Sequence, residues 1–339
     1  MSSAALQREF APVSETIAAP RPAHYRVAVV ILNYRTPQLV IDCLASLASE
    51  VDPLRDVVVV VDNASGDDSV ERIEAAIEQN HWTEWCQFIP SPDNNGFSAG
   101  NNLGCAAVAA DYYLLTNSDT LFRPGAIEEL LRGAAAHPQA AMLGPRLECL
   151  NGDPQVSCFK FHSPLSELID AAATGPLTKL LSKFDVPRPV IDHSECYDWL
   201  GFPCVLVRSD VLRQVGPMDE GFFMYYEDVD YCRRIRRAGG EIRYWPAARV
   251  VHLGGQSSNM RELTAACKRR PKYFYAARAR YYAKHFGHLG LWLANGLWMA
   301  GRVFSLAQEK FRGRPTHICD SQARDVWTNG WRPLTGPRR

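Results

Sequence analysis

The sequence predicts an α/β protein built on a largely parallel sheet, and three observations carry this. Residues 26–32 (RVAVVIL) and 57–61 (VVVVV) are unbroken apolar runs, as expected of strands buried on both faces. Helical patterns follow them, so strand and helix alternate four times before about residue 136. The strands end in polar turns, and in such sheets ligands bind beyond the carboxyl ends of the strands.

In order, the first strand turns at Asn33-Tyr34-Arg35-Thr36-Pro37. Thr36 is placed to cap the helix that Pro37 opens, and Leu39, Val40, Cys43, Leu44 and Leu47 form its apolar face. The second strand ends at Asp62-Asn63-Ala64-Ser65, and Val70, Ile73 and Ile77 mark a second helix. Residues 87–90 read as a short third strand. A turn rich in Asn and Gly (94–102) then opens a small-residue helix through Ala110. Residues 112–116 are a fourth strand ending at Asn117-Ser118-Asp119, and Pro124 starts a helix to about Ala136. From 142 to 206 the pattern weakens, with 163–192 read as a variable insert containing a short helix. Residues 205–207 resume the core, and a helix after Arg208-Ser209-Asp210 ends before Gly216-Pro217. An acidic stretch (222–234) starts a helix stopped by Gly239-Gly240. Residues 241–245 and 249–252 read as two last short strands.

Hydrophobic content of 47% supports a real core and excludes wholesale disorder. A formal net charge of zero gives no global field toward nucleic acid. The ten cysteines have no CxxC pair and no zinc spacing, which reads as reduced thiols in a cytosolic protein. Residues 1–24 read as a flexible lead without a signal pattern, and no transmembrane run appears. The first turn lacks G-x-G-x-x-G, and no G-x-x-x-x-G-K-[ST] occurs, so dinucleotide and P-loop sites are excluded.

Four stretches carry chemistry. In 222–234, four aromatics and a Met lead into Glu227, Asp228 and Asp230, with Arg233 and Arg234 after them. Apolar surroundings raise a carboxylate pKa and guanidinium lowers it, which is how an acid or base is poised; the same pattern also suits a plain helix start. Asp119 ends a buried strand as a candidate ligand for a divalent cation, and His252 is an available second ligand. Asp62 is placed to take hydrogen bonds from a ribose or a base. The Asn-rich turn with Gly96 and Gly100 allows close approach of backbone to a ligand.

Together, Val30-Ile31-Leu32-Asn33-Tyr34, Val61-Asp62-Asn63-Ala64-Ser65, residues 95–102, Leu115-Thr116-Asn117-Ser118-Asp119, residues 218–230 and Val251-His252 resemble the inverting glycosyltransferases of family 2, most closely the rhamnosyltransferase-like branch. The resemblance covers residues 26 to 258. It implies a GT-A fold at 25–258, a single Rossmann-like nucleotide-sugar domain with a mixed, mainly parallel sheet, followed by a helical extension at 259–339. It implies that Asp62 binds the base, and that Asn33, Asn63, Asn95, Asn102, Asn117 and Glu227 line the nucleotide-sugar pocket. Asp119 and His252 would hold Mg²⁺ or Mn²⁺, and Asp228 would be the general base. Spacing alone leaves Asp230 open as the base. The donor would be a nucleoside-diphosphate sugar, rhamnose among the options, and the acceptor a glycan or a polyprenyl-diphosphate-linked sugar in cell-surface polysaccharide assembly. The pattern departs from the family's at Asn117, where an Asp is usual, and at 199–204, which puts donor-sugar identity in question. The alternatives are a nucleotide-sugar-binding module without catalysis and a sugar nucleotidyltransferase.

Between Arg261 and Lys284 eight basic residues stand against one acid, interleaved with Tyr273, Phe274, Tyr275, Tyr281 and Tyr282. From Leu289 to Ala307 a broad apolar surface carries a narrow polar stripe of His288, Asn295, Arg302 and Glu309. This fits a helix lying in a membrane interface near anionic lipid, at the inner face of the cell membrane. A helix packed on the catalytic domain, with the basic run solvated, fits as well.

Overall fold

Strands β1 (Tyr25–Asn33) and β2 (Asp56–Asp62) form where the apolar runs are, and their side chains divide by parity. Val30, Val57, Val59 and Val61 enter one core; Val27, Val29, Ile31, Val58 and Val60 enter another on the opposite face. Such a sheet must be covered on both sides, and it is. The computed structural model describes residues 22–255 and 259–335. The expected lead at 1–24 therefore falls almost wholly outside the described residues.

The helix α1 (Pro37–Leu47) follows β1, and α2 (Ser69–Gln79) leads from β2 to β3 (Cys86–Pro90). Next come α3 (Gly96–Ala106), β4 (Ala110–Asn117), β5 (Thr120–Phe122), α4 (Ala126–Ala136) and β6 (Ala140–Glu148). A cross-segment holds β7 (Cys158–Phe159), α5 (Pro164–Ala172), α6 (Gly175–Leu180), β8 (Glu195–Cys196) and β9 (Trp199–Leu200). Then follow β10 (Cys204–Arg208), α7 (Ser209–Val215), α8 (Glu227–Arg237), β11 (Glu241–His252), α9 (Met260–Ala265), α10 (Lys272–Arg312) and α11 (Gln322–Asp325). The main sheet runs β3-β2-β1-β4-β10-β6-β11-β5, with β8 added on β11.

The strands β3, β2, β1 and β4 are parallel, while β10 is inserted antiparallel between β4 and β6. This reversal has a local consequence. It brings Pro203, just before β10, to the carboxyl end of β4, where its carbonyl accepts from Asn117 N–H at 2.9 Å. The expected pair of strands at 241–245 and 249–252 is one strand, β11, whose register against β6 shifts between Trp245 and Arg249. The strand β6 was hidden by its own Gly144-Pro145. Thr36 occupies the N-cap of α1 without capping it; its hydroxyl donates to Asn33 Oδ1 at 3.1 Å.

In α3, small residues are required by proximity. A Cβ at Gly100 would overlap Leu32, and one at Gly104 would overlap Val30, so this helix lies directly on β1. The first half of α10 is part of the domain's core: Ala277, Tyr281 and Tyr282 share one cluster with Val205 and Phe222. Gly287, with φ 72° and ψ 177°, breaks α10 into two helical segments. The ten cysteines are all free thiols.

Candidate active site

The turns after β1, β2 and β4 meet at one edge of the sheet because the strands are in register there: Asn33 pairs with Asp62, and Leu32 with Asn117. A cavity of about 580 Å³ opens above this edge. Its floor includes Leu32, Asn63, Asn117 and Ser118, and its walls include Phe97, Phe202, Phe223, Tyr225, Glu227 and Asp228.

The expected site residues other than Asp119 and His252, which do not line the cavity, divide into three groups. Asn63, Asn117, Glu227 and Asp228 line the cavity. Asn33 and Asp62 lie behind its wall, and their polar atoms are engaged with one another. Asn33 Nδ2 donates to Asp62 Oδ1 at 2.7 Å, and Ser65 closes on both Asp62 oxygens, from its hydroxyl at 2.5 Å and its N–H at 3.0 Å. This latch fixes the turns after β1 and β2 relative to each other. Asn95 and Asn102 do not line the cavity. Asn95 is the exposed N-cap of α3, while its neighbour Asn94 lines the cavity and accepts from Asn63 Nδ2 at 2.9 Å. Asn102 pins the loop before α8, accepting from Met218 N–H at 3.0 Å and donating to Met218 O at 2.9 Å.

The turn into α8 is strained. Tyr225 and Tyr226 both have positive φ, 73° and 65°, a conformation costly for side chains of this size. Packing holds it: Tyr225 stacks on Tyr273, with ring centroids 6.2 Å apart and planes 11° apart, and Tyr226 packs against Phe274 and Tyr281. The aromatics of the basic run thus build the site wall and are not free to face a membrane. Asp228 follows, with Oδ1 accepting from Val229 N–H at 2.8 Å. Burial raises its pKa to about 7, against the Val229 hydrogen bond, which lowers it. Burial, with the neighbouring Asp228 charge, also pushes Glu227 well above the usual carboxylate range. A carboxylate ionising near neutrality is what general-base catalysis calls for.

Asp230 is placed differently. Its carboxylate is fully buried and held by Lys284 Nζ at 2.8 Å and His285 Nε2 at 2.8 Å. It anchors α8 to α10.

Asp119 and His252 come together at the end of β4, where β5 pairs with β11: His252 Nε2 is 3.7 Å from Asp119 Oδ2. Burial lowers the His252 pKa, so the imidazole is neutral at pH 7. Gln155 clamps it, with Oε1 3.1 Å from Nδ1 and Nε2 donating to the His252 carbonyl at 2.7 Å. That contact holds the proton on Nδ1 and leaves the Nε2 lone pair toward Asp119. Asp119 Oδ1 is buried and has no hydrogen-bond partner among the described residues. One carboxylate oxygen without a partner beside one neutral imidazole fits a divalent cation that takes its other ligands from phosphate and water. Among the described residues no group of three or more such side chains is present, so the protein alone would supply a minority of the coordination shell.

Gln155 was missed because it lies in the stretch of weak pattern. Tyr273 was visible, but as part of a basic-aromatic run read for lipid.

The model of the family described as Glycosyltransferase like family 2 matches residues 22–276. The chain belongs to glycosyltransferase family 2. Within the family, it is 33% identical over 157 residues to the N-acetylglucosaminyl-diphospho-decaprenol L-rhamnosyltransferase of Mycobacterium tuberculosis, covering 44% of this chain and 48% of that protein. It is 26% identical over 237 residues to the low-salt glycan biosynthesis hexosyltransferase Agl10 of Haloferax volcanii, covering 67% and 66%, and 26% identical over 168 residues to the rhamnosyltransferase WbbL of Escherichia coli, covering 46% and 60%. The chain thus spans half to two thirds of the length of these relatives. In fold it is similar to the mannosyltransferase PcManGT of Pyrobaculum calidifontis, solved with GDP-Man and Mn²⁺ (TM-score 0.52, 13% identity, 94% of this chain and 84% of that one). It is also similar to GalNAc-T7, solved with UDP, GalNAc and Mn²⁺ (TM-score 0.54, 13% identity, 85% and 57%). The family 2 chain therefore has the GT-A fold that its motifs imply.

Proposed function

We propose that this protein is an inverting, metal-dependent glycosyltransferase that moves a sugar from a nucleoside-diphosphate donor to a glycan or lipid-linked acceptor. The observation that carries the reading is Asp228, raised to about 7 by burial and opening on the same cavity as Asn63, Asn117 and Ser118, the last of which precedes Asp119 in the chain. The nucleotide lies over the ends of β1, β2 and β4. A divalent cation held by Asp119 and His252 would neutralise charge on the leaving diphosphate. Asp228 accepts the proton of the acceptor hydroxyl as it attacks the anomeric carbon from the opposite side, which inverts configuration. Tyr225, Phe223 and Phe202 keep water from this centre.

The relatives' names support rhamnose as the donor sugar and an N-acetylglucosaminyl-diphospho-lipid as the acceptor. A membrane-bound acceptor suits the second half of α10. Its Leu291, Ala294 and Trp298 pack inward, while Leu289, Leu293, Val303 and Phe304 are exposed on the other side. We place this ridge against the inner face of the cell membrane. Among the described residues no helix is long and apolar enough to cross a membrane.

The test is incubation with a panel of nucleoside-diphosphate sugars, with and without acceptor. Acceptor-dependent release of nucleoside diphosphate supports the reading. Release of pyrophosphate would mean a nucleotidyltransferase, and binding without release a carrier module.

A further inference from the structure

A second cavity, of about 420 Å³, lies behind the Tyr225–Tyr226 turn, between the cross-segment and the C-terminal helices. Tyr226 lines it, whereas Tyr225 and Glu227 line the first cavity. The two left-handed residues send adjacent rings to opposite sides of one wall. Trp298, Gln322 and Val326, also on this cavity, lie beyond the stretch that matches the family.

Its lining has a definite chemistry. Phe159 and Trp199 are stacked, with centroids 4.1 Å apart and planes 18° apart, and Phe184 is a further half-buried ring. Tyr275, 1% exposed, lines the cavity with a hydroxyl that has no hydrogen-bond partner among the described residues. His162 is kept neutral by burial, which lowers its pKa to about 4. Glu167 is bound to Arg278 at 2.9 Å and accepts from Tyr282 Oη at 2.8 Å, so neither charge is left for an ionic ligand. Asp170, Asp185 and Arg270 also line the cavity. Flat apolar rings, neutral donors and acceptors, and three carboxylates (Glu167, Asp170, Asp185) against two guanidiniums (Arg270, Arg278) suit a polyol with one apolar face. They do not suit a phosphate or a free lipid chain. The volume is in the range of small-molecule sites.

We infer that this cavity is a carbohydrate subsite that holds a ring of a glycan acceptor other than the ring whose hydroxyl Asp228 deprotonates, stacked on the Phe159–Trp199 pair. The inference rests on the proposed transferase reading and adds a location for the acceptor that is separate from the nucleotide cavity. A ring seated there contacts Tyr226, two residues from Asp228, so acceptor binding bears directly on the turn that positions the base.

The experiment uses the full chain. Binding of N-acetylglucosamine, its β-1,4-linked disaccharide and methyl α-L-rhamnoside is followed by saturation-transfer NMR and tryptophan fluorescence, with UDP and dTDP titrated separately. Phe159→Ala removes the stacking ring; Phe184→Ala is a second variant on the less buried rim, should the first fail to fold. At least one saccharide is expected to bind, to weaken roughly tenfold or more in either variant, and to be indifferent to saturating UDP or dTDP; nucleotide binding is expected to be unchanged. Saccharide binding unaffected by both variants, saccharide displaced by nucleotide, or no binding by any of the probes overturns the inference. Turnover of a nucleotide-sugar with an acceptor KM unmoved by the variants overturns it while leaving the transferase reading intact. Saccharide binding here without turnover of any donor overturns the transferase reading, and with it the identity of the sugar as acceptor.

Discussion

Asp230 sits two residues beyond Asp228, yet its carboxylate is closed inside an ion cluster, 2.8 Å from both Lys284 Nζ and His285 Nε2, while Asp228 opens on the cavity. Lys284 also reaches Asp219 at 2.7 Å, and Arg280 pairs with Asp219 at 2.8 Å. Burial alone would raise the Asp219 carboxyl; hydrogen bonds from Arg280 and Lys284 outweigh it and hold the pKa at about 2. Asp228 and Asp230 therefore predict opposite phenotypes. Asp228→Asn should lower kcat by about 10²–10⁴-fold with donor affinity little changed. Asp230→Asn should retain much of the chemistry in the surviving fold but lose on the order of 3 kcal/mol of stability, read from urea midpoints. If Asp230→Asn is inactive at full stability, the base has been assigned to the wrong carboxylate.

The pH dependence follows from the same group. The base works ionised, so kcat/KM should fall as pH drops below about 7. The sign for stability is the reverse. Asp228 has a folded pKa above its unfolded value of about 3.9, so the folded state binds more protons between the two values and stability declines as pH rises from about 4 to about 7. Asp228→Asn should therefore raise the melting temperature at pH 8 and leave it nearly unchanged at pH 4. An equal shift at both pH values would show that the carboxyl titrates normally.

The Asp119–His252 pair predicts loss of transfer in EDTA and recovery with Mg²⁺ or Mn²⁺; full activity in chelator would remove the cation from the account. Asp119→Ala should not recover. Gln155→Ala should weaken Mn²⁺ binding by about 10–100-fold, measured by electron paramagnetic resonance in the presence of nucleoside diphosphate. Unaltered Mn²⁺ affinity would mean that Gln155 serves the fold and not the ion.

Membrane contact should depend on the apolar ridge of α10 and little on the basic run. Arg278 is buried against Glu167 and Asn295, Arg280 and Lys284 are paired with Asp219, and Arg269 is paired with Asp325. Leu293→Asp with Val303→Asp should abolish flotation with vesicles, whereas 0.5 M NaCl should reduce it only modestly. Vesicle binding that survives both substitutions would show the ridge faces something else. Truncation is a poor probe, because cutting after Gly287 also removes buried Leu291, Ala294 and Trp298.

Much of this was legible in the chain. The valine runs of β1 and β2 gave the parallel half of the sheet, since a strand buried on both faces has no polar side to hide its pattern. The turns at Asn33, Asp62 and Asn117 gave the site edge. Side-chain direction was not legible. Nothing in the spacing says that Asp62 faces Ser65 and not the cavity, or that Asn102 holds Met218. The tail left two readings open, and spacing does not choose between them. Asn295, read as part of a narrow polar stripe, is buried, and Arg278 Nη1 donates to its Oδ1 at 2.7 Å. Partners distant in sequence decide which charges meet solvent.

The ion cluster that joins α8 to α10 also sets an order of events during synthesis. Asp228 is reached well before Arg280, Lys284 and His285 emerge from the ribosome, and the rings that brace its turn, Tyr273, Phe274 and Tyr281, are also downstream. A nascent chain can pair its β strands from the amino end first. It cannot fix the left-handed turn before the base until most of α10 is translated. Unfinished chains released by the ribosome would then carry the sheet edge without a positioned Asp228 and, on the proposed function, would be inert as transferases.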